Sequence, residues 1–206
     1  MFKPHCIFLV DDDEFILRSI ERLFYGSRHE VQAFASPRAF LACADLNRSG
    51  CVVLDLSMPE MPGSELQQHL LQAGSLLPVI FLTGNGDVAN SVAAMKLGAS
   101  DFLTKPVDAD VLLAAVEQAL TLNFKRRKDR AVVADIESRL ALLTKRETEV
   151  MELVVQGRLN KQIAAALGTV EHTIKLHRAS VMRKMRAESI SDLVTVVNTL
   201  RMLRPR

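Results

Sequence analysis

Long apolar runs are missing from this 206-residue chain. The longest, near Leu76–Leu82, is broken by Pro78 and falls far short of the roughly 18 residues a spanning helix needs, so no membrane span is expected. The opening Met1-Phe2-Lys3-Pro4-His5 lacks the basic region and apolar stretch of an export signal, and a cytoplasmic chain is expected. Cysteine is scarce. Cys6, Cys43 and Cys51 are scattered, odd in number and without a CxxC pair, which argues against a disulfide framework or a zinc site. Reduced, buried thiols are the default, with a Cys6–Cys51 pairing open if the two begin neighbouring strands. Nine Gly and seven Pro are too few for a low-complexity or collagen-like chain, while 49% hydrophobic residues can bury a core. Disorder and fibre are thereby excluded, and the length suits two small domains better than one large one.

What is present divides sharply by charge. Residues 1–121 carry 8 Lys+Arg against 15 Asp+Glu, whereas residues 122–206 carry 18 against 9, so the halves stand at −7 and +9. An acidic half suits a metal or a protein partner, and a basic half suits polyphosphate. The changeover falls at Lys125-Arg126-Arg127-Lys128, which by itself reads as a solvated linker face.

In the first half, short apolar runs at Ile7–Val10, Val31–Phe34, Cys51–Leu54, Val79–Leu82 and Asp101–Leu103 alternate with amphipathic stretches. This βαβ pattern predicts a parallel sheet covered on both faces, and right-handed crossovers make it an α/β doubly wound sandwich. Ser36 before Pro37 reads as an N-cap and first helical residue, and Asp87 is expected to cap a helix ending before Gly98. A further helix is expected over Asp108–Leu122, and Val133, Ile136, Leu140 and Leu143 continue an apolar stripe that predicts a helical linker. No strand pattern follows: residues 144–203 read as four short helices with breaks near Gly157, Gly168 and Ala187-Glu188.

Ligands of doubly wound sheets sit at the carboxyl ends of the strands, and the polar residues of the first half fall there. Asp11 and Asp12 follow the first run, Asp55 closes the third, Thr83 closes the fourth and Lys105 follows the fifth. Converging carboxylates repel unless a cation neutralises them, and all-oxygen ligation selects a hard ion such as Mg²⁺. One carboxylate is then free to act as a nucleophile on phosphorus. Taken alone, Asp11-Asp12-Asp13-Glu14 also suits a helix N-terminus, with Asp13 the expected cap. It lacks EF-hand spacing, and Gly84-Asn85-Gly86 lacks that of a dinucleotide fingerprint.

The ordered set of a double aspartate, Leu54-Asp55-Leu56-Ser57-Met58-Pro59, Thr83-Gly84 and Lys105-Pro106 resembles the receiver domain of two-component response regulators, over about residues 5–122. The resemblance implies a flavodoxin-like fold of five parallel strands, with Asp55 the phosphoacceptor and Mg²⁺ or Mn²⁺ held by Asp11, Asp12, Asp55 and the Ser57 carbonyl. It makes Thr83 and Lys105 phosphate sensors, Phe102 the aromatic switch, and the Lys105–Pro106 bond cis. Asn85 would tune loss of the phosphoryl group, and a face with Val88, Val92 and Met95 would dimerise.

In the second half, Thr144 with Glu147 reads as a capping box opening one helix, Asn160-Lys161-Gln162-Ile163-Ala164 starts another, and a third begins at about Glu171. The third carries His172, Lys175, His177, Arg178, Arg183 and Lys184, with Ile174, Val181 and Met185 facing inward, the pattern of a helix-turn-helix. The motifs Leu143-Thr-x-Arg146-Glu147, Gly157-x-x-Asn160-Lys161-x-Ile163-Ala164 and Thr173-Ile174-Lys175-x-His177-Arg178 resemble the LuxR-type DNA-binding domain. That resemblance implies DNA contacts from Lys161, His172, Lys175, Leu176 and Arg178, and leaves His177 open between hydrogen-bonding within the module and base reading. Val170 stands where a small cap is usual and Leu159 where a hydroxyl is usual, and Thr169 or Asn160 is the expected substitute cap.

Together the two resemblances are those of a FixJ/NarL-class response regulator: a receiver over residues 1–122, a helical linker over 123–142, and an all-α, four-helix LuxR-type helix-turn-helix domain over 143–206. They imply a sensor histidine kinase and promoter DNA as partners, RNA polymerase as a further one, a homodimer on phosphorylation, and no turnover of an external substrate. A small-substrate phosphatase fits poorly, because Ser57 replaces the second acid of an Asp-x-Asp nucleophile motif. A constitutive DNA-binding factor with the receiver as a docking or dimerisation module is the open alternative.

Overall fold

The computed structural model describes residues 4–84 and 98–204, and it divides into two units, residues 1–127 and 128–206. In the first, strands β1 (Cys6–Val10), β2 (Glu30–Phe34), β3 (Gly50–Asp55), β4 (Val79–Thr83) and β5 (Asp101–Thr104) form one parallel sheet in the order β2-β1-β3-β4-β5. Between them run helices α1 (Glu14–Leu23), α2 (Pro37–Cys43) and α3 (Gly63–Gln72), and α4 (Ala109–Leu140) follows β5. Strands that pair in parallel require crossovers, and α1, α2 and α3 supply those among the described residues, on both faces of the sheet.

Strand pleating sorts the apolar side chains into two cores. Ile7, Leu9, Cys51, Val53, Ile80 and Leu82 pack on one face against Leu17 and Ile20 of α1 and Leu112, Val116 and Leu120 of α4. Phe8, Val52, Leu54 and Phe81 pack on the other against Phe40 of α2 and Leu66 and Leu70 of α3. The alternation settles the thiols. Cys6 opposes Gly50, Cys51 opposes Ile7, and the two sulfurs enter opposite cores, so the Cys6–Cys51 pairing is excluded. Burial pushes the Cys6 thiol up to about 11 and that of Cys51 up to about 12, whereas Cys43 is exposed, contrary to the expectation of buried thiols throughout.

Helix starts follow local chemistry. The Asp13 carboxylate accepts from the Phe15 and Ile16 amides at 2.8 and 3.4 Å, and Ser36 accepts from Ala39 with Pro37 in the first turn. The expected helix from Asp87 and the face with Val88, Val92 and Met95 lie outside the described residues, as does Asn85. Two glycines are demanded by close approach. A Cβ on Gly50 would stand 1.8 Å from the Cys6 carbonyl oxygen, and one on Gly63 would stand 2.3 Å from that of Asp55.

In the second unit, α5 (Lys145–Val155), α6 (Asn160–Ala166), α7 (Glu171–Met185) and α8 (Ile190–Leu203) close around Val150, Ile163, Ile174, Val181, Met185 and Leu193. The stripe anticipated for the linker joins this core, with Ile136 buried and Val133, Leu140 and Leu143 packed against it. Gly157 (φ +80°) and Gly168 (φ +63°) supply left-handed stops after α5 and α6, while after α7 that conformation falls to Arg186 at φ +53°. Thr144 and Glu147 form the expected capping box. The same Glu147 carboxylate is buried and accepts from the Lys184 ammonium at 2.7 Å and the Thr144 amide at 2.7 Å.

The Lys184 ammonium, the Ser180 hydroxyl and the Thr144 amide lower the Glu147 carboxyl from 4.5 to about 2. A depressed carboxyl stabilises the fold above its unfolded value, and that stabilisation fades as pH falls through the folded value. The midpoint gap between the natural protein and Glu147→Gln in matched thermal unfolding should therefore be constant above about pH 5 and close toward pH 2. Gly63→Ala should lower stability by about 1–3 kcal/mol in urea unfolding, because the new methyl meets backbone.

Candidate functional site

The carboxyl edge of the sheet gathers one acidic pocket. In register, Val10 opposes Leu54, Asp55 opposes Leu82 and Thr83 opposes Thr104, so the residues that end or follow these strands share one rim. Carboxylate oxygens of Asp11, Asp12 and Asp55 lie within 4.8 Å of one another; Asp11 and Asp55 are buried and Asp12 is exposed. Lys105 reaches across from the end of β5. Its ammonium donates to Asp11 at 2.7 Å and pairs with Asp55 at 2.9 Å. Burial pushes the Asp11 carboxyl up from its ordinary value, against the pull of that ammonium, while the bonds to Asp11 and Asp55 raise Lys105 despite the opposing effect of burial. Asp13 lies outside the cluster as the cap of α1, and its amide donates to Asp11 Oδ1 at 2.9 Å.

One ammonium cannot neutralise three carboxylates. A purely oxygen donor set with uncompensated negative charge fits a hard divalent cation and suits Mg²⁺ or Mn²⁺ better than zinc. Thr83 is buried at the end of β4, its carbonyl accepts the Lys105 amide at 2.7 Å, and the Lys105–Pro106 bond is cis as expected. Ser57 is exposed just beyond β3. The Phe102 ring is half-buried and stacks on Phe81, centroids 5.0 Å apart.

In the second unit, α6 and α7 form the helix-turn-helix pair. Lys161, His172, Lys175 and Leu176 are exposed, whereas Arg178 is half-buried and donates to Asn160 Oδ1 at 2.6 Å. Arg178 thus ties α7 to the first turn of α6. His177 is half-buried. Lys184 departs from the reading of an outward cation, since it faces Glu147. Leu159 and Val170 are themselves the N-caps of α6 and α7, and neither makes a side-chain cap bond. Neither Thr169 nor Asn160 substitutes: Gln162 serves α6 by accepting the Leu159 amide at 2.9 Å, and Asn160 is engaged by Arg178.

Sequence reasoning missed Asn123. Fully buried on α4, it accepts from the Ser49 hydroxyl and the Gly50 amide at 3.1 and 3.2 Å and donates to the Leu76 carbonyl at 2.8 Å. The available signal was one polar residue inside the apolar period of α4.

Comparison with known proteins covers both units. Residues 7–117 match the response regulator receiver domain, and residues 141–197 match the luxR family of bacterial regulatory proteins. The chain is 41% identical over 201 residues to the response regulator protein TodT of Pseudomonas putida, spanning 97% of this chain and 88% of TodT. It is 40% identical over 201 residues to the transcriptional regulatory protein FixJ of Bradyrhizobium diazoefficiens, spanning 98% of each. Among solved structures, the response regulator StyR matches with a TM-score of 0.81 at 40% identity, over 96% of this chain and 99% of that one.

Removing the Lys105 ammonium leaves buried carboxylates without their cation. Lys105→Met should lose about 1–3 kcal/mol of stability in chelator, and millimolar Mg²⁺ should raise its thermal midpoint more than it raises that of the natural protein.

Proposed function

The chain belongs to the response regulators that join a receiver domain to a LuxR-type DNA-binding domain, and from that premise we propose that phosphorylation of Asp55 by a sensor histidine kinase switches its binding to promoter DNA. The observation that carries this reading is the cluster itself: three carboxylates within 4.8 Å, with Lys105 spanning Asp11 and Asp55. Asp11, Asp12, Asp55 and the Ser57 carbonyl would hold Mg²⁺ or Mn²⁺, which supplies charge neutralisation to the transferring phosphoryl group.

An Asp55 carboxylate oxygen attacks phosphorus in line. The new P–O bond forms as the P–N bond to the kinase histidine breaks, and the leaving imidazole keeps the bonding pair and a proton. The phosphoryl group then presents oxygens where Lys105 now meets a carboxylate, so the ammonium stays with Asp55 by moving onto its new substituent. Thr83 turns its hydroxyl toward a second oxygen, and space opened beside it draws the Phe102 ring inward from its stack on Phe81. That movement carries the signal to a dimerisation surface, through which two copies pair. Dimerisation places two helix-turn-helix modules on adjacent half-sites and raises the effective concentration of the second. Lys161, His172 and Lys175 supply contacts to phosphates and bases, and Arg178 keeps α7 in position for them. The switch operates in the cytoplasm, with RNA polymerase the downstream partner.

The test is intact mass and gel filtration after incubation with a small phosphodonor and Mg²⁺, on the natural protein and Asp55→Asn in parallel. One phosphoryl adduct and a shift from monomer to dimer are expected for the natural chain, and neither for the variant. Equal DNA occupancy by the two proteins under those conditions would favour constitutive binding instead.

A further inference from the structure

Within the basic run Lys125-Arg126-Arg127-Lys128 the expected solvated face holds for Lys125 and Lys128, which are exposed, and fails for the two arginines. Arg127 is spent on Asn123 Oδ1 at 3.1 Å and on the Asn47 carbonyl. Arg126 is half-buried and meets no carboxylate among the described residues; burial alone lowers it from its ordinary value. A guanidinium stays charged under such a shift, and an arginine that merely shields its stem keeps its head in water. Here the head itself is partly withdrawn from water with no anion beside it.

The space it faces has a definite shape. Arg126 forms one wall of a cavity of about 240 Å³ that lies wholly within the first unit, at the amino edge of the sheet and so at the opposite rim from the aspartates. Leu70 and Leu71 of α3, Leu76 and Leu77 of the following loop and Val79 of β4 line it; Leu70, Leu77 and Val79 are buried, and Leu71 is 53% exposed at the mouth. Arg126 is the only charged group on the wall. Ser75 is already engaged, its hydroxyl accepting from the Leu77 amide at 3.3 Å and donating to the Leu46 carbonyl at 3.4 Å. The carbonyls of Leu70, Leu71, Leu76 and Val79 accept from Ser75, Gly74, Asn123 and Ser100. Asn123, three residues before Arg126, thereby braces the loop against α4 and holds the cavity open beside the guanidinium.

A single guanidinium among leucines selects one planar anion. A carboxylate accepts both N–H groups of the fork, whereas a dianionic phosphate would bring into apolar walls more charge than one cation neutralises. An apolar cavity of about 150 Å³ takes benzene, so this one holds about ten non-hydrogen atoms. Its hydrocarbon walls are aliphatic, with no ring to stack on. We infer that this cavity is a binding site for a small monocarboxylate with a saturated hydrocarbon body, its carboxylate paired with Arg126 and its chain laid on Leu70, Leu77 and Val79.

Octanoate has about that size and is the probe, titrated into the full chain while the leucine and valine methyl resonances are followed by NMR. Shifts should centre on Leu70, Leu77 and Val79 and saturate with a Kd of about 0.1–1 mM. Octan-1-ol and octylamine keep the chain without the anion, acetate keeps the anion without the chain, and each should bind about tenfold more weakly or worse. Arg126→Met preserves the stem and should cost octanoate a similar factor. Leu71→Glu, at an exposed position, sets a carboxylate at the mouth that occupies Arg126 and should cost as much; matched thermal unfolding checks that both variants fold. The inference is overturned by full octanoate affinity in Arg126→Met, by octan-1-ol binding as tightly as octanoate, by shifts that centre away from the cavity, or by no saturable shift in the natural protein. None of these outcomes bears on phosphorylation of Asp55.

Discussion

Mutual repulsion among Asp11, Asp12 and Asp55 is the constraint around which the first unit is arranged. Parallel strands carry their polar termini to one rim, and the order β2-β1-β3-β4-β5 places β1 beside β3 at the reversal of winding. The buried cores on both faces hold those termini in place against the repulsion, because Leu9, Val53 and Leu82 on one face and Val10, Leu54 and Phe81 on the other immobilise the last turns of strand before the acids begin. Lys105 relieves part of the charge and arrives from β5, two strands away from Asp55. Gly63 enters the same balance from outside the pocket: α3 begins so close to the Asp55 carbonyl that no side chain fits between them.

The second unit answers a different demand. Its helices are short, and α6 has only seven residues, too few to persist without tertiary support. Support comes from a continuous apolar core and from polar ties between neighbouring helices. Glu147 closes the start of α5 and reaches Lys184 near the end of α7; Arg178 reaches Asn160 at the start of α6. These bonds compensate for N-caps at Leu159 and Val170 that make no side-chain bond of their own.

Which features could be read from the chain follows from the range of the interactions. The strands, the Ser36–Pro37 helix start and the Thr144–Glu147 box depend on neighbours within a few residues, so periodicity and capping chemistry disclose them. Asp11, Asp55, Thr83 and Lys105 were legible because a parallel sheet turns "last residue of a strand" into a shared location. Partnerships across the fold were not. Lys184 looks like any other cation on α7 until Glu147, 37 residues earlier, is seen facing it, and Arg178 looks available until Asn160 takes it. Cys6 and Cys51 mislead for the converse reason: neighbouring strands bring their backbones together, but a one-residue offset in register sends the sulfurs to opposite faces.

The chain uses a buried carboxylate beside a lysine twice, with opposite results. Around Glu147, one carboxylate has the Lys184 ammonium and the Thr144 amide as donors, and its carboxyl falls to about 2. Around Lys105, one ammonium is divided between two buried carboxylates with a third close by, and the Asp11 carboxyl is held up by burial instead. Satisfied donors make the first pair a clamp, since any change leaves a buried group without a partner. Incomplete neutralisation leaves the second receptive to an added cation, which would lower its energy. The ratio of charges, more than the identity of the groups, separates the satisfied pair from the unsatisfied one.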